Sequence, residues 1–167
     1  VDSPALDANI PGHLRDPQGR WYGISVRART LVYNTAAVKP AELSTYAALA
    51  EPAWKGKLCL RTSQKVYNQS LVAAFIAALG EERTEAIVRG WVANLAAEPF
   101  ASDDEVILAV ASGRCAVGIV NTYYFGRQQR ADAKLPVAIF WPDQGPGERG
   151  VHVNVSGAGV TTHAKEP

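Results

Sequence analysis

Two stretches of the chain share a layout that can do chemistry. In CLRTSQKVYNQS (residues 59–70) and CAVGIVNTYYFG (115–126), a cysteine is followed eight residues later by a tyrosine, Tyr67 or Tyr123. The second stretch adds Tyr124 directly after it. Each tyrosine falls where an apolar, strand-like run gives way to a helical pattern. If both strands lie in one sheet, three phenols converge at helix N-termini, with Arg29 nearby. A phenolate is a hard anionic donor, suited to a hard trivalent cation. A bound cation also drives ionisation of a group whose ordinary pKa is about 10. Ferric iron is the abundant ion of that kind. From the residues alone, aromatic stacking platforms for an organic ligand and plain structural tyrosines stay open as alternatives.

Arg27 and Arg29 are two apart in WYGISVRARTLVYN (21–34), so on a strand they project from one face. Two cations on such a face ask for an anion or for carboxylate partners; ordinary surface arginines are the alternative. The chain has two cysteines, Cys59 and Cys115, and they form no CxxC. Neighbouring parallel strands would bring them within bridging distance, and a disulfide requires an oxidising compartment. Two buried free thiols are the equal alternative. Other chemistries find little support. His13, His152 and His163 are never in i, i+4 register. There is no GxSxG and no phosphate-loop glycine pattern. Asp103 and Asp104 read as helix-start acids rather than as an acid–base pair.

The elements that must position these residues follow from periodicity and stop signals. Residues 21–34 alternate as a strand, with Ile24, Val26, Leu31 and Tyr33 as its apolar positions. LSTYAALAEP predicts a short helix, with Ser44 as cap and Pro52 closing it. A strand follows in WKGKLCLRTS, then a helix over YNQSLVAAFIAALG that stops at Gly80, then one over EERTEAIVRGWVANLA. Asp103 begins another, ending at Gly113. CAVGIV is a strand leading to a helix from Thr122 or Tyr123 to about Ala131, LPVAIFWP is a strand, and the end is an alternating strand, a glycine turn and a helix start. Residues 1–20 are polar and turn-rich. This order predicts an α/β layered domain, whose ligands lie beyond the carboxyl ends of its strands.

The chain has 167 residues, of which 47% are hydrophobic, enough for one substantial core. A formal net charge of +1 gives no reason to expect nucleic acid or a membrane surface as partner. No apolar run approaches the roughly 20 residues of a spanning helix. There is no methionine, so the expectation is a processed chain or a piece of a longer one.

With these residues assembled, the sequence resembles the bacterial periplasmic ferric-ion-binding proteins, the solute-binding components of ABC iron importers. The resemblance is carried in order by WYGISVRARTLVYN, WKGKLCLRTSQKVYNQSLVAAFI, GIVNTYYFGR and HVNVSGAGVTTHAK. It implies a class II periplasmic-binding-protein fold and no catalysis. It further implies Tyr123 and Tyr124 as ligands of Fe3+, Tyr67 as the additional ligand of a tyrosine-rich subgroup, and Arg29 beside the metal, holding a synergistic carbonate or supporting a phenolate. Arg27 is then its neighbour in the surrounding shell, and Cys59 and Cys115 resemble a disulfide found in part of the group. The implied partner is an inner-membrane ABC permease and the implied compartment the periplasm. On this reading residues 1–30 are a remnant of a first lobe with a hinge strand, 31–144 a second α/β lobe carrying the tyrosines, and 145–167 a return hinge strand and remnant. Apolar surface left uncovered on the remnants would favour self-association. Two alternatives remain beside it: a binder of a small organic anion or sugar using Arg27 and Arg29, and an isolated lobe without activity.

Overall fold

The computed structural model describes residues 3–165. The elements run α1 (Pro4–Asn9), β1 (Tyr22–Asn34), β2 (Leu58–Cys59), α2 (Val66–Leu79), α3 (Glu81–Ala93), α4 (Asp103–Ala111), β3 (Val117–Asn121), α5 (Thr122–Ala131), β4 (Val137–Phe140) and β5 (Val153–Ala158). They divide into two compact units. One comprises the described residues up to Arg27 together with those from Val153 onward, and the other is Ala28–His152.

Local chemistry accounts for the helix limits. Gly80 ends α2 with a φ of +82°, a conformation that disfavours L side chains, and the chain restarts at once as α3. Helix α4 begins with a capping box. The Ser102 hydroxyl accepts from the Glu105 N–H at 3.2 Å, while a Glu105 carboxylate oxygen accepts from the Ser102 N–H at 3.2 Å. Gly113, at φ +78°, follows its last turn.

In the larger unit the strand order is β2-β3-β1-β4. Strand β3 is parallel to β2 and antiparallel to β1, with Arg29 opposite Asn121 and Tyr33 opposite Val117. Strand β4 is antiparallel to β1. Helices cover both faces, so residues 28–34 of β1 are buried without interruption. On one face Leu31 and Tyr33 pack with Tyr46, Leu71, Phe75, Ile87 and Trp91. On the other Val32 and Val120 pack with Val106, Ile107 and Val110 of α4. Each such fully buried side chain contributes about 1.5–3 kcal/mol of transfer free energy. Gly118 is required by this layering: a Cβ there would stand 2.5 Å from Val106 Cγ1 and 3.0 Å from the Cys59 carbonyl oxygen.

In the smaller unit β5 pairs with β1. Asp16 organises the turn before β1, accepting from the N–H groups of Gln18 and Arg20 and from the Arg20 guanidinium. The Arg20 hydrogen bond holds the Asp16 carboxyl well below its usual range, against the effect of burial.

Four sequence expectations are corrected. Residues 43–52 form no α-helix; Ala47–Ala50 and Pro52–Trp54 are 3-10 turns, and at the first it is the Thr45 hydroxyl, not that of Ser44, that accepts from a turn N–H, that of Ala48 at 3.0 Å. The polar N-terminal stretch contains α1, capped by Ser3, too short for periodicity to register. Ile24 and Val26 are 63% and 51% exposed, because continuous burial in β1 begins only at Ala28. After Gly159 the described residues turn without starting a helix.

Candidate metal centre

Tyr67 is the second residue of α2, and Tyr123 and Tyr124 are the second and third residues of α5, directly after β3. The sheet brings these junctions together: the Tyr67 and Tyr123 phenolic oxygens stand 3.5 Å apart. The Tyr123 and Tyr124 rings lie with centroids 4.2 Å apart and planes inclined by 31°. Adjacent tyrosines at a helix start thus reach one place without sharing a strand face. The first turns of both helices leave N–H groups without intrahelical partners, a partly positive setting that favours anionic oxygen.

Two further cations flank the group. The Arg61 guanidinium carbon lies 5.6 Å from the Tyr67 ring centroid, and that of Arg127 lies 4.9 Å from the Tyr124 ring centroid. Arg127 is itself ion-paired with Asp104. Without a metal, burial raises the Tyr123 phenol above its ordinary value, and the bonds to Tyr124 and Tyr67 add to the rise. The Tyr123 phenol thus favours its neutral form unless a cation compensates the charge.

Arg29 and Arg27 have different fates. Arg29 has no exposed surface, and its guanidinium donates to Asp103 Oδ2 at 2.7 Å, Asn68 Oδ1 at 2.5 Å, the Ile119 carbonyl at 3.1 Å and Asn121 Oδ1 at 3.3 Å. Of the two partners that the sequence leaves open, anion or carboxylate, the structure supplies a carboxylate. Burial pushes the Arg29 pKa down, and the Asp103 charge pushes it back up. Arg27 falls in the smaller unit, where it donates to Ser156 Oγ at 2.5 Å.

Cys59 and Cys115 form a disulfide with Cα atoms 5.8 Å apart, joining β2 to the residues that lead into β3. His152, absent from the sequence-based candidates, places Nε2 3.1 Å from the hydroxyl of Ser70, one turn beyond Tyr67 on α2. Its backbone N–H donates to the Tyr46 hydroxyl at 3.1 Å, and that hydroxyl donates to the Arg29 carbonyl. Burial lowers the His152 pKa, reinforced by Arg29 and Arg149. Asp103, Asn68 and Asn121 were also missed as site residues. Asp103 is a helix-start acid as expected, but its partner Arg29 is 74 residues away, and no local pattern signals that pairing. Among the described residues no group of three or more His, Cys, Asp or Glu side chains is arranged to hold a metal. A cavity of about 710 Å³ in the smaller unit is lined by Asp7, Arg15, Asp16 and Tyr22, whose polar groups are bonded to one another or to Arg20.

A mixed sheet with helices on both faces and ligand-capable side chains at strand-to-helix junctions defines a solute-binding architecture, that of the class II periplasmic binding proteins. The chain belongs to the family described as bacterial extracellular solute-binding protein, which matches residues 2–153. It is 47% identical to Iron uptake protein A1 of Synechocystis sp. (strain ATCC 27184 / PCC 6803 / Kazusa), across 98% of this chain and 47% of that protein. Among solved structures it is similar to apo FutA2 from Synechocystis PCC6803, with 48% identity and a TM-score of 0.87, covering 95% of this chain and 52% of the other. It is also similar to the Trichodesmium protein IdiA (FutA) in complex with iron and citrate, with 41% identity and a TM-score of 0.90, covering 99% of this chain and 54% of the other. The chain spans about half the length of the curated relatives it matches.

Proposed function

We propose that the protein binds ferric iron through the phenolate oxygens of Tyr67, Tyr123 and Tyr124, as part of a solute-binding protein that delivers iron to an ABC-type permease from the periplasm, without catalysis. The observation that carries this reading is the convergence of three phenols from two helix starts, with Tyr67 and Tyr123 oxygens 3.5 Å apart across 56 residues of sequence. Neutral phenols have little reason to crowd at partly positive helix ends. A trivalent cation supplies one, because three phenolates balance its charge. The names of the relatives point the same way: the Synechocystis protein is an iron uptake protein and the Trichodesmium structure holds iron.

Arg29 already has a counter-charge in Asp103, so its part is to support the phenolates through the buried scaffold, and carbonate is not needed to neutralise it. The same pairing weighs against an organic-anion site built on Arg27 and Arg29. Titration with ferric nitrilotriacetate, followed by visible absorbance, tests the proposal. A phenolate-to-iron band should grow to saturation in the wild type and vanish in the Tyr123→Phe, Tyr124→Phe double variant. A wild-type protein that stays colourless would refute it.

A further inference from the structure

We propose that Asp103 is a positioning residue for the phenol cluster, tying the starts of α2 and α5 together through Arg29, Asn68 and Asn121. The inference rests on the ferric-phenolate reading and concerns how that site is held in shape.

Asp103 is the first residue of α4 and is fully buried. Its Oδ2 accepts from two directions, from Arg29 Nη1 at 2.7 Å and from the Asn121 backbone N–H at 2.8 Å. The second contact holds the N-cap of α5, two residues before Tyr123. The first holds Arg29, whose other terminal nitrogen donates to Asn68 Oδ1 at 2.5 Å. Asn68 is the residue after Tyr67, and its amide nitrogen donates to the Arg61 carbonyl at 2.7 Å. One carboxylate therefore links both tyrosine-bearing helix starts, with Arg29 as the crossing member between them.

The linkage is not a generic core feature. Taking a carboxylate and a guanidinium out of water carries a desolvation penalty that a packed apolar pair would avoid. Such pairs are best justified where they impose a particular geometry. Here the geometry imposed is on two helix ends whose neighbouring residues are the phenols. Tyr123 is 42% exposed and its bond to Tyr67 is at the long limit, so the backbone at the two helix starts contributes to where these phenols stand. Partners of metal-binding residues of this kind change metal affinity when removed, though they never touch the ion.

The test uses wild type, Asp103→Asn and Asn68→Ala, each read in three ways: ferric nitrilotriacetate titration by absorbance, nuclear Overhauser contact between the labelled rings of Tyr67 and Tyr123 in the metal-free protein, and thermal unfolding. Asp103→Asn keeps an oxygen for the Asn121 N–H but removes the charge that holds Arg29. Ferric affinity is expected to fall about 10- to 100-fold, with a shifted absorbance maximum and a weakened ring contact in a protein that still unfolds cooperatively. Asn68→Ala should move both site readouts in the same direction. A folded Asp103→Asn with unchanged affinity and ring contact overturns the proposal. If Asp103→Asn does not fold, Asn68→Ala decides, and an unchanged ring contact there overturns it equally. A wild type without an iron band, whose ring contact is nevertheless lost in the variants, would sink the ferric reading and leave the positioning role standing.

Discussion

The phenolic oxygens of Tyr67 and Tyr123 stand 3.5 Å apart although their residues belong to different helices. On the proposed ferric reading, this contact sets a proton balance for metal binding. In the metal-free protein, burial first, then the bonds to Tyr124 and Tyr67, raise the Tyr123 phenol above 10.0. A raised folded value favours the neutral form, so its contribution to stability is present below the unfolded pKa and is lost as pH rises through the folded one. Ferric binding through Tyr123, as proposed, must remove that proton. Iron affinity should therefore increase with pH, with protons released on binding, and Tyr123→Phe should release about one proton fewer. Competition titrations at several pH values, with proton uptake followed in weak buffer, check this. A pH-independent affinity would mean that the phenols do not ionise on the metal.

The Cys59–Cys115 disulfide closes a loop with a sequence separation of 56. On the chain-entropy account, restricting the unfolded chain over that length stabilises by about 4 kcal/mol. For a chain of this size, that corresponds to roughly 8–16 °C in melting temperature. The Cys59→Ala, Cys115→Ala double variant should show a loss in that range by calorimetry. A loss of only a degree or two would mean that burial on β2 and β3, not the covalent link, holds these strands together.

Arg29 and Arg27 look equivalent in sequence, yet their environments predict different losses. Removing Arg29 leaves the Asp103 carboxylate buried with its main partner gone, and breaking such a pair costs about 3–5 kcal/mol. Arg27 is partly exposed and donates to Ser156, so its replacement should cost about 1 kcal/mol. Urea unfolding of Arg29→Ala and Arg27→Ala separates them. Equal losses would contradict the burial assignment.

The difference between these arginines shows where sequence reasoning reaches its limit. Helices α2 to α4 were legible from their apolar spacing, from the acids that open α4, and from chemical stops such as Gly80 and Gly113. The tyrosine junctions were legible for a related reason, since each lies at a strand-to-helix change marked within a dozen residues. Helix α1 has only six residues and no buried face, so no periodicity could reveal it. The 3-10 turns after Ser44 carry helical composition but are broken by Pro52 before a second turn can form. The Arg29–Asp103 pair depends on β1 and α4 meeting in space, and nothing local to either segment records that meeting.

His152 offers a second pH response, of opposite sign to that of Tyr123. Its ring faces the Ser70 hydroxyl, while Arg29 and Arg149 contribute positive charge and Tyr46 bonds its backbone. Burial, then the two arginines, lower its pKa from 6.5. A depressed histidine is neutral in the folded state, whereas the unfolded chain takes up a proton near 6.5. Its contribution to stability is therefore fully present above that value and is lost as pH falls through the lower folded one. His152→Gln keeps a polar group within reach of Ser70 but removes the titration. Between about pH 7.5 and about pH 5, the wild type should lose more stability in urea than the variant does, the carboxylates common to both cancelling in the comparison. Parallel losses would show that the ring is as easily protonated in the folded protein as in the unfolded chain, and would remove any role for Arg29 and Arg149 in keeping it neutral.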